Sequence, residues 1–327
     1  RIFVRYSELS SKLALQVQGQ PGVGPSCVEG GRGSPGTVLE VLTLAGAVPL
    51  IKFSDAPSAP HASKVGRHTF ADPTPMRVYL GVNLALRLDG AGAFDRIYPN
   101  LDAAGGSRVQ LSVPAVSVDT IWLAEGSTLR GPDGGDLNIT AAVQATLCNV
   151  HSDGALTISG RRIDLSGACE FSAGTDLSLT AATSMGMSQG ALSAGGGLHI
   201  DASSISLCRV ACEGHLHVSI RGSFNLTGGA CGVTAGTAEV RVSSVQLSSS
   251  SFASSSDARL LVGNAITLQG TSRLASGGHL LLTAGHAVTV SAQSNLTVGQ
   301  DLSVVAQRFE TQNPVSAGGG ASIMAET

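Results

Sequence analysis

The chain has few charged and few aromatic side chains. Asp, Glu, Lys and Arg make up 13% of its 327 residues, and Phe, Trp and Tyr make up 4%, whereas charged residues are about a quarter of an ordinary globular domain. The formal net charge is -3 and the signs are interspersed, which leaves no basic stripe for the phosphate backbone of a nucleic acid. The best apolar run, from Val41 to Ile51, is about half as long as a transmembrane helix. We therefore expect neither nucleic-acid binding nor a helical membrane span.

A motif of about 20 residues recurs in tandem through most of the chain. Copies begin at Asp136, Ala155, Asp176, Leu198, Leu216, Ala238, Arg259, Leu280 and Asp301, and a further copy begins at Ala321. Within a copy, apolar residues are spaced by two, as in Leu177 and Leu179, which is typical of a strand with one buried face. Each copy contains a first strand, a second strand and a shorter third strand, and it closes with a small-residue corner such as Ser-Ala-Gly-Gly.

This pattern predicts an all-β fold, a right-handed parallel β-helix with three short strands and about 20 residues per coil. One coil buries too little apolar surface to fold alone. Stacking at about 4.8 Å per coil lets neighbouring coils pair their backbones and join their aliphatic side chains into one core. The composition agrees, because a narrow core uses small aliphatic residues and tight corners use glycine, of which there are 42.

The organisation of the chain changes near residue 108. Residues 108–327 form the regular array, and residues 1–107 form an irregular β-rich region that we expect to supply early coils or a cap. Within this region, the loop at 19–36 is rich in glycine but lacks the lysine-serine pair of a P-loop, so we expect a corner insertion. The loop at 54–75 is rich in Pro, Ser and Ala, and we expect an exposed segment that contacts a partner.

The two ends of the sequence indicate a piece of a longer polypeptide. The chain opens with Arg1, without an initiator Met or a signal peptide. The last copy stops after its first strand, with no polar cap over the coil edge, and an open edge favours end-to-end association. We therefore expect the natural chain to continue beyond Thr327.

The rhythm of DLSLTA, SMGMSQ and ALSAGGG from Asp176, repeated as LLLTAGHAVTVSAQSNLTVGQ from Leu280, resembles the parallel β-helix repeats of haemagglutinin-like and autotransporter-type surface adhesins. The resemblance lies in the repeat pattern, and it implies a β-helical stalk at a cell surface. Six cysteines and three N-glycosylation sequons are a departure from the stalks of bacterial adhesins. They indicate a secreted or surface protein of a eukaryote.

Four cysteines align in one column of the third strand: Cys148, Cys169, Cys212 and Cys231. Their parity matches that of Phe171, so they should face inward. The first two and the last two lie in adjacent coils, and a stacking distance of about 4.8 Å is within the Cα separation of a disulfide, roughly 4.4 to 6.8 Å. The alternatives are buried thiols that pack as small hydrophobes or, less favoured because a stacked column cannot form a tetrahedron, a zinc site. This scheme leaves Cys27 and Cys208 without partners.

Three sequons place an asparagine one residue from an inward Leu or Ile: Asn138, Asn225 and Asn295. Their side chains should therefore point outward, on the first, second and third strand respectively, which is the exposure that a glycan requires. We expect N-glycosylation at one or more of them, although some sequons arise by chance in a chain rich in Ser and Thr.

The sequence offers little catalytic chemistry. Glycoside hydrolases need two carboxylates about 5 to 9 Å apart, and lyases need several around a calcium ion. Here the outward acids are scattered one per coil in different columns: Asp164, Glu170, Asp201, Glu213 and Glu239. We expect no catalytic residues and no cofactor. His199 and His217 occupy the same outward position in adjacent coils, with Asp201 two residues on, and they are the one candidate for a shared divalent metal; exposed, metal-free histidines are the favoured alternative.

Together these observations predict a non-enzymatic extracellular β-solenoid, a rigid stalk or building block of a larger surface, wall or filament assembly with an adhesive face. Its partners would be proteins of that assembly, joined end to end or through the 54–75 loop, and glycans. The alternative is a carbohydrate-active or carbohydrate-binding β-helix of the pectin-lyase type. Such enzymes build clefts from long insertions on successive coils, whereas the corners after Asp136 stay short.

Overall fold

The computed structural model describes residues 37–42, 50–55, 66–69, 77–80, 85–89 and 98–103 by their backbone pairing alone, and residues 108–111, 113–123, 126–165, 169–187, 190–206 and 208–325 more fully. The regular secondary structure in these ranges consists of β-strands alone. The loop at 19–36, most of the loop at 54–75 and Cys27 lie outside the described residues.

The strands before residue 108 are Thr37–Leu42 (β1), Leu50–Asp55 (β2), Gly66–Thr69 (β3), Arg77–Leu80 (β4), Ala85–Asp89 (β5) and Tyr98–Ala103 (β6). The next ten are Arg108–Leu111 (β7), Ala115–Leu123 (β8), Thr128–Arg130 (β9), Leu137–Thr146 (β10), Val150–Ser152 (β11), Leu156–Leu165 (β12), Glu170–Ala173 (β13), Leu177–Met187 (β14), Ala191–Ala194 (β15) and Leu198–Ala202 (β16).

Nine strands follow through the middle of the array: Ile205–Ser206 (β17), Arg209–Cys212 (β18), His215–Ile220 (β19), Ser223–Thr227 (β20), Gly232–Ala235 (β21), Thr237–Val242 (β22), Ser244–Ser248 (β23), Ser251–Ser254 (β24) and Ala258–Val262 (β25). The last nine are Ala265–Gln269 (β26), Arg273–Ser276 (β27), Leu280–Ala284 (β28), Ala287–Val290 (β29), Asn295–Val298 (β30), Leu302–Ala306 (β31), Arg308–Thr311 (β32), Ser316–Ala317 (β33) and Ala321–Ala325 (β34).

These strands form a parallel β-solenoid of about 10 turns with three parallel sheets and about 21 residues per turn, which confirms the predicted fold class. The first sheet stacks β16, β19, β22, β25, β28, β31 and β34; the second stacks β17, β20, β23, β26, β29 and β32. The third runs from β7 through β9, β11, β13, β15, β18, β21, β24, β27 and β30 to β33. The right-handed sense of the coil stays a prediction.

In the earlier coils one long strand spans the first two sheets. Strands β8, β10, β12 and β14 contain 9 to 11 residues each. Their pairing skips residues at one point, between Ala141 and Gln144 in β10 and between Gly160 and Arg162 in β12. An unpaired residue bends a strand, so this irregularity makes the corner, and Val143 at the bulge is 55% exposed.

Strands of the N-terminal region join the same sheets. β1 and β2 pair in antiparallel fashion, whereas β2, β4 and β6 continue in parallel pairing to β8. Likewise β3 and β5 continue to β7. The parallel stacking therefore extends across residue 108.

The core is a set of columns that run along the solenoid axis. In the first sheet the register aligns Leu177 with Leu198 and Leu198 with Leu216, and each of these side chains is 1% exposed. In the third sheet Phe171 aligns with Leu192, and both are similarly buried. Alternate residues face outward, as the spacing of two predicts. Because each coil covers the apolar face of the next, the core is continuous among the described coils.

Aspartates recur at the corner before the first strand, where each accepts a hydrogen bond from the next coil. Asp257 Oδ1 accepts the backbone N–H of His279 at 2.8 Å. The equivalent acceptors are Asp136, Asp176 and Asp301. A glycine precedes the donor residue each time, because a Cβ on Gly278, for example, would lie 2.3 Å from Asp257 Oδ1. The carboxylate of one coil therefore leaves no space for a Cβ at the equivalent position of the next coil, where glycine is found.

Candidate functional site

The two adjacent histidines predicted from the sequence do meet on the first sheet. The register pairs His199 of β16 with His217 of β19. Their rings stack with centroids 5.0 Å apart and planes inclined by 4°. His215 lies beside them, with its centroid 6.3 Å from that of His217. A cluster of three imidazoles thus occupies two successive coils.

Charged groups border this cluster. Burial, together with the His199 ring, lowers the pKa of His217, and the nearby Glu239 opposes this effect. Arg241 Nε donates a hydrogen bond to Glu239 Oε1 at 2.6 Å, and this bond is the main cause of a lowered pKa at Glu239. These shifts favour the neutral form of His217 and the ionised form of Glu239.

The arrangement does not suit the metal site considered from the sequence. The lone pair of an imidazole nitrogen lies in the ring plane, so two parallel rings cannot aim their lone pairs at one ion. Asp201 belongs to the neighbouring outward column, where it pairs with Ser219 rather than with His217. Within the described residues, no group of three or more His, Cys, Asp or Glu side chains has metal-binding geometry.

Two disulfides staple neighbouring coils of the third sheet. Cys148 is bonded to Cys169 with a Cα separation of 4.8 Å, as the column of cysteines predicts. The second disulfide joins Cys208 to Cys231, with a Cα separation of 4.3 Å. The predicted Cys212–Cys231 pairing is therefore wrong, and Cys208, which the sequence scheme left without a partner, is the true one.

The physical reason is the register of the third strand. Val210 aligns with Leu192 in the coil before it and with Val233 in the coil after it. Keeping these three aliphatic side chains buried places Cys208, two residues before Val210, in the cysteine column. Cys212 instead aligns with Ala194 near the strand end. It is a free, buried cysteine, and burial raises the pKa of its thiol.

All three sequon asparagines are exposed. Asn138 lies on β10, Asn225 on β20 and Asn295 on β30, and each directly precedes a buried Ile or Leu. They fall on the first, second and third strand stacks, as the alternation predicts. Occupancy by glycans stays a prediction.

Four histidines make contacts between successive coils that were not predicted from the sequence. His151 Nδ1 is 2.6 Å from Ser172 Oγ, and His215 Nδ1 is 2.7 Å from Thr237 Oγ1. His279 and His286 make comparable contacts with Asp301 and Gln307. The partners are 21 or 22 residues apart, which is one turn. That spacing was the available signal.

Several outward carboxylates pair with arginines. Arg130 Nη2 donates to Asp153 Oδ1 at 3.0 Å, and the Gly134 N–H donates to Asp153 Oδ2 at the same distance. The Gly134 bond and then the Arg130 bond lower the pKa of Asp153. Arg162 lies 3.8 Å from Asp164. These groups are exposed ion pairs, and solvent screening leaves such pairs with little effect on stability.

A shallow depression lies on the outer face of the third sheet. Its volume is about 320 Å³. Its lining includes Ala191, Arg209 and Gly232, which align in three successive coils, and the turn from Gly229 to Cys231. In the part of the chain whose side chains are described, no carboxylate pairs with Arg209. The depression therefore combines a small apolar floor, a cation and one half of a disulfide.

None of the described elements is a helix long and apolar enough to cross a bilayer. The two disulfides suggest an oxidising environment outside the cytoplasm. No protein-family model matches this chain, and comparisons with curated proteins and with solved structures found no match. The likeness to surface adhesins thus remains one of repeat pattern, and the fold itself, a β-solenoid, is the firm conclusion.

Proposed function

We propose that this protein is a non-enzymatic extracellular β-solenoid that serves as a rigid stalk or building block of a larger surface, wall or filament assembly. The observation that carries the proposal is a uniform column of short side chains along the outer face of the third sheet. Short side chains fill this outward column, which contains Ser172, Ser193, Ala211, Thr234, Ala253, Ala275 and Thr297. Such a surface suits repeated shallow contacts along the axis.

The distribution of reactive groups supports a structural role. Asp164 lies on β12 and Glu170 on β13, which belong to different sheets, and Asp201 and Glu239 stand in different columns of the first sheet. Glycoside hydrolysis needs two carboxylates about 5 to 9 Å apart across one substrate bond. The depression beside Arg209 contains no carboxylate among its lining residues. The arrangement of the described carboxylates therefore favours a role in protein or glycan contacts over catalysis.

The environment and partners that we propose follow from the same surface. Two disulfides suit a secreted protein, and the exposed Asn138, Asn225 and Asn295 suit N-glycans. Its partners would be proteins of the assembly, joined end to end or through residues 54–75, and glycans that contact an adhesive face.

Rigidity is the property to measure first. Ser159 and Thr283 occupy one outward column, through Thr180, Asp201, Ser219, Arg241 and Leu261. Six coil steps of about 4.8 Å separate them by about 29 Å. Spin labels at these two positions should give a single narrow distance distribution near this value. A broad distribution would contradict a stiff rod.

Catalysis is tested on the same folded protein. We expect it to leave acidic and neutral polysaccharides uncleaved, so that their molecular-mass distribution does not change. In a separate measurement, protein secreted from eukaryotic cells should carry additional glycan mass, and Asn225→Gln should reduce that mass. Cleavage of any polysaccharide would overturn the non-enzymatic proposal and favour the carbohydrate-active alternative. Secreted protein without glycan mass would remove the sequons from the argument.

A further inference from the structure

The two disulfides differ in their access to solvent. Cys148 and Cys169 are 2% and 1% exposed, and Cys208 is 7% exposed. Cys231 is partly exposed and lines the depression on the third sheet. Thiol–disulfide exchange requires a thiolate to reach one sulfur of the bond. Among the four bonded cysteines, Cys231 is therefore the one that an external thiol can approach.

The turn before Cys231 creates this exposure. Gly228 adopts a φ of +111°, and the Cys231 N–H donates back to the Gly228 carbonyl at 2.9 Å. Gly229 and Ala230 of this turn are exposed, whereas Cys208, which precedes β18 on the preceding coil, is buried. The disulfide thus has one sulfur-bearing residue in the wall of a cavity and the other in the core.

The cavity also has the polarity of a binding site for an anion-bearing small molecule. Its volume of about 320 Å³ is at the lower end of small-molecule sites. Arg209 stands between Ala191 and Gly232 in the outward column. These small neighbours leave room around its guanidinium, a group suited to carboxylate binding.

We propose that the Cys208–Cys231 disulfide is a thiol-exchange site, at which a small carboxylate-bearing thiol binds beside Arg209 and forms a mixed disulfide with Cys231. The incoming thiolate forms a sulfur–sulfur bond to Cys231 Sγ. The Cys208–Cys231 bond breaks, and its electron pair goes to Cys208 Sγ, which takes up the proton that the incoming thiol lost. Attack of the Cys208 thiolate on the mixed disulfide reverses the reaction.

The coils stay paired when this bond opens. The Gly232 N–H donates to the Cys208 carbonyl at 2.8 Å, and the Gly228 N–H donates to the Ser248 carbonyl at 3.0 Å. Val210 and Val233 remain in register in the core. Exchange at this site is therefore a local modification of a folded protein, and this inference does not depend on the proposed structural role.

To test the site, folded protein is incubated with increasing concentrations of reduced glutathione. The reaction is quenched with acid, free thiols are alkylated, and the modified cysteines are identified by peptide mapping. We expect glutathione on Cys231 and alkylation of Cys208, while Cys148–Cys169 stays intact at the same concentrations. Equal exchange of both disulfides, an adduct on Cys208 instead, or exchange only as fast as global unfolding would each overturn the proposal.

The role of Arg209 needs a comparison of two thiols and two variants. Arg209→Gln should slow exchange with glutathione by about two- to fivefold, the size of one exposed charge contact, and leave exchange with uncharged 2-mercaptoethanol unchanged. Arg273 occupies the same outward column two coils beyond Gly232, so Arg273→Gln is the matched control and should affect neither thiol. Equal slowing of both thiols by Arg209→Gln would refute carboxylate recognition.

Discussion

The corner formed by Asp257 and Gly278 predicts a measurable coupling between two successive coils. Asp257 Oδ1 accepts the N–H of His279 at 2.8 Å, and a Cβ on Gly278 would lie 2.3 Å from the same oxygen. Gly278→Ala must therefore displace the carboxylate and lose the hydrogen bond. After two coils without this aspartate the equivalent position carries a side chain, since Ser256 follows the coil of Thr237 and Gln300 follows that of His279. Gly214 and Gly236 are glycines because backbone atoms of the preceding coil lie close to them.

The expected magnitude comes from the bond that is lost. A hydrogen bond to a charged group contributes about 1.5 to 3 kcal/mol, and solvent at this corner brings the value to the lower end. Replacing glycine by alanine returns about 0.4 to 1 kcal/mol through the unfolded state. We therefore expect Gly278→Ala to weaken the local structure by about 0.5 to 1.5 kcal/mol, and Asp257→Ala, which has no such offset, to weaken it by about 1.5 to 2 kcal/mol. The double variant should be no weaker than Asp257→Ala alone, because the clash is gone.

Amide hydrogen exchange at His279 is the suitable assay, because the stability of a repeat array is local and its unfolding need not be two-state. Exchange should accelerate about two- to tenfold in Gly278→Ala and about ten- to thirtyfold in Asp257→Ala, the factors that correspond to these free energies. Gln300→Ala is the matched control and should leave its own corner unchanged. The reasoning fails if Gly278→Ala behaves like the control, or if the two single effects add in the double variant.

Three further outcomes follow from the core and the histidine cluster. Leu282→Ala should lower the free energy of unfolding by about 2 to 5 kcal/mol, because the side chain is buried. Leu281→Ala, on the outer face of the same strand, should lower it by less than about 1 kcal/mol. Equal shifts of the urea midpoint in the two variants would contradict the assigned faces. Burial and the His199 ring hold the pKa of His217 below its usual 6.5, so the unfolded chain binds this proton more readily than the folded protein does. The contribution of His217 to stability is therefore complete above pH 6.5 and is lost as the pH falls below it. His199→Gln should raise the pKa of His217 in an NMR titration, and an unchanged pKa would count against the coupling. Cys212 should resist iodoacetamide until denaturant opens the core, because its burial raises the thiol pKa, and labelling of the folded protein at the rate of a free thiol would disprove that placement.

The cysteines show how far periodicity reaches. The repeat predicted an inward column and the Cys148–Cys169 bond, because coils of equal length keep the same offset. It failed at Cys212, since the copy that begins at Leu198 is shorter than its neighbours, with Leu216 only 18 positions on. From spacing alone, the shortening of this copy can be placed either before or after its third strand, and this choice decides which cysteine falls in the column. Burial of Val210 between Leu192 and Val233 decides the assignment.

The histidine cluster shows the complementary limit. The sequence placed His199 and His217 at one outward position, and the register confirms it. Ring orientation depends on side-chain torsions and on neighbours such as Glu239 and Arg241, so the stacked geometry that disfavours a shared metal could not come from spacing. The exposure of Cys231 likewise depends on the turn at Gly228, whose positive φ is a property of the folded backbone.

By itself the sequence determined the architecture, because a strand spacing of two, repeated about every 21 residues, leaves stacking as the way to bury the aliphatic columns. It also determined which asparagines face outward, since parity along a strand is a local property. Only the tertiary structure decided which cysteines bond, which histidine contacts which partner, and where a cavity opens. Those outcomes depend on the lengths of corners and on the packing of one coil against the next, which alternation within a single strand does not encode.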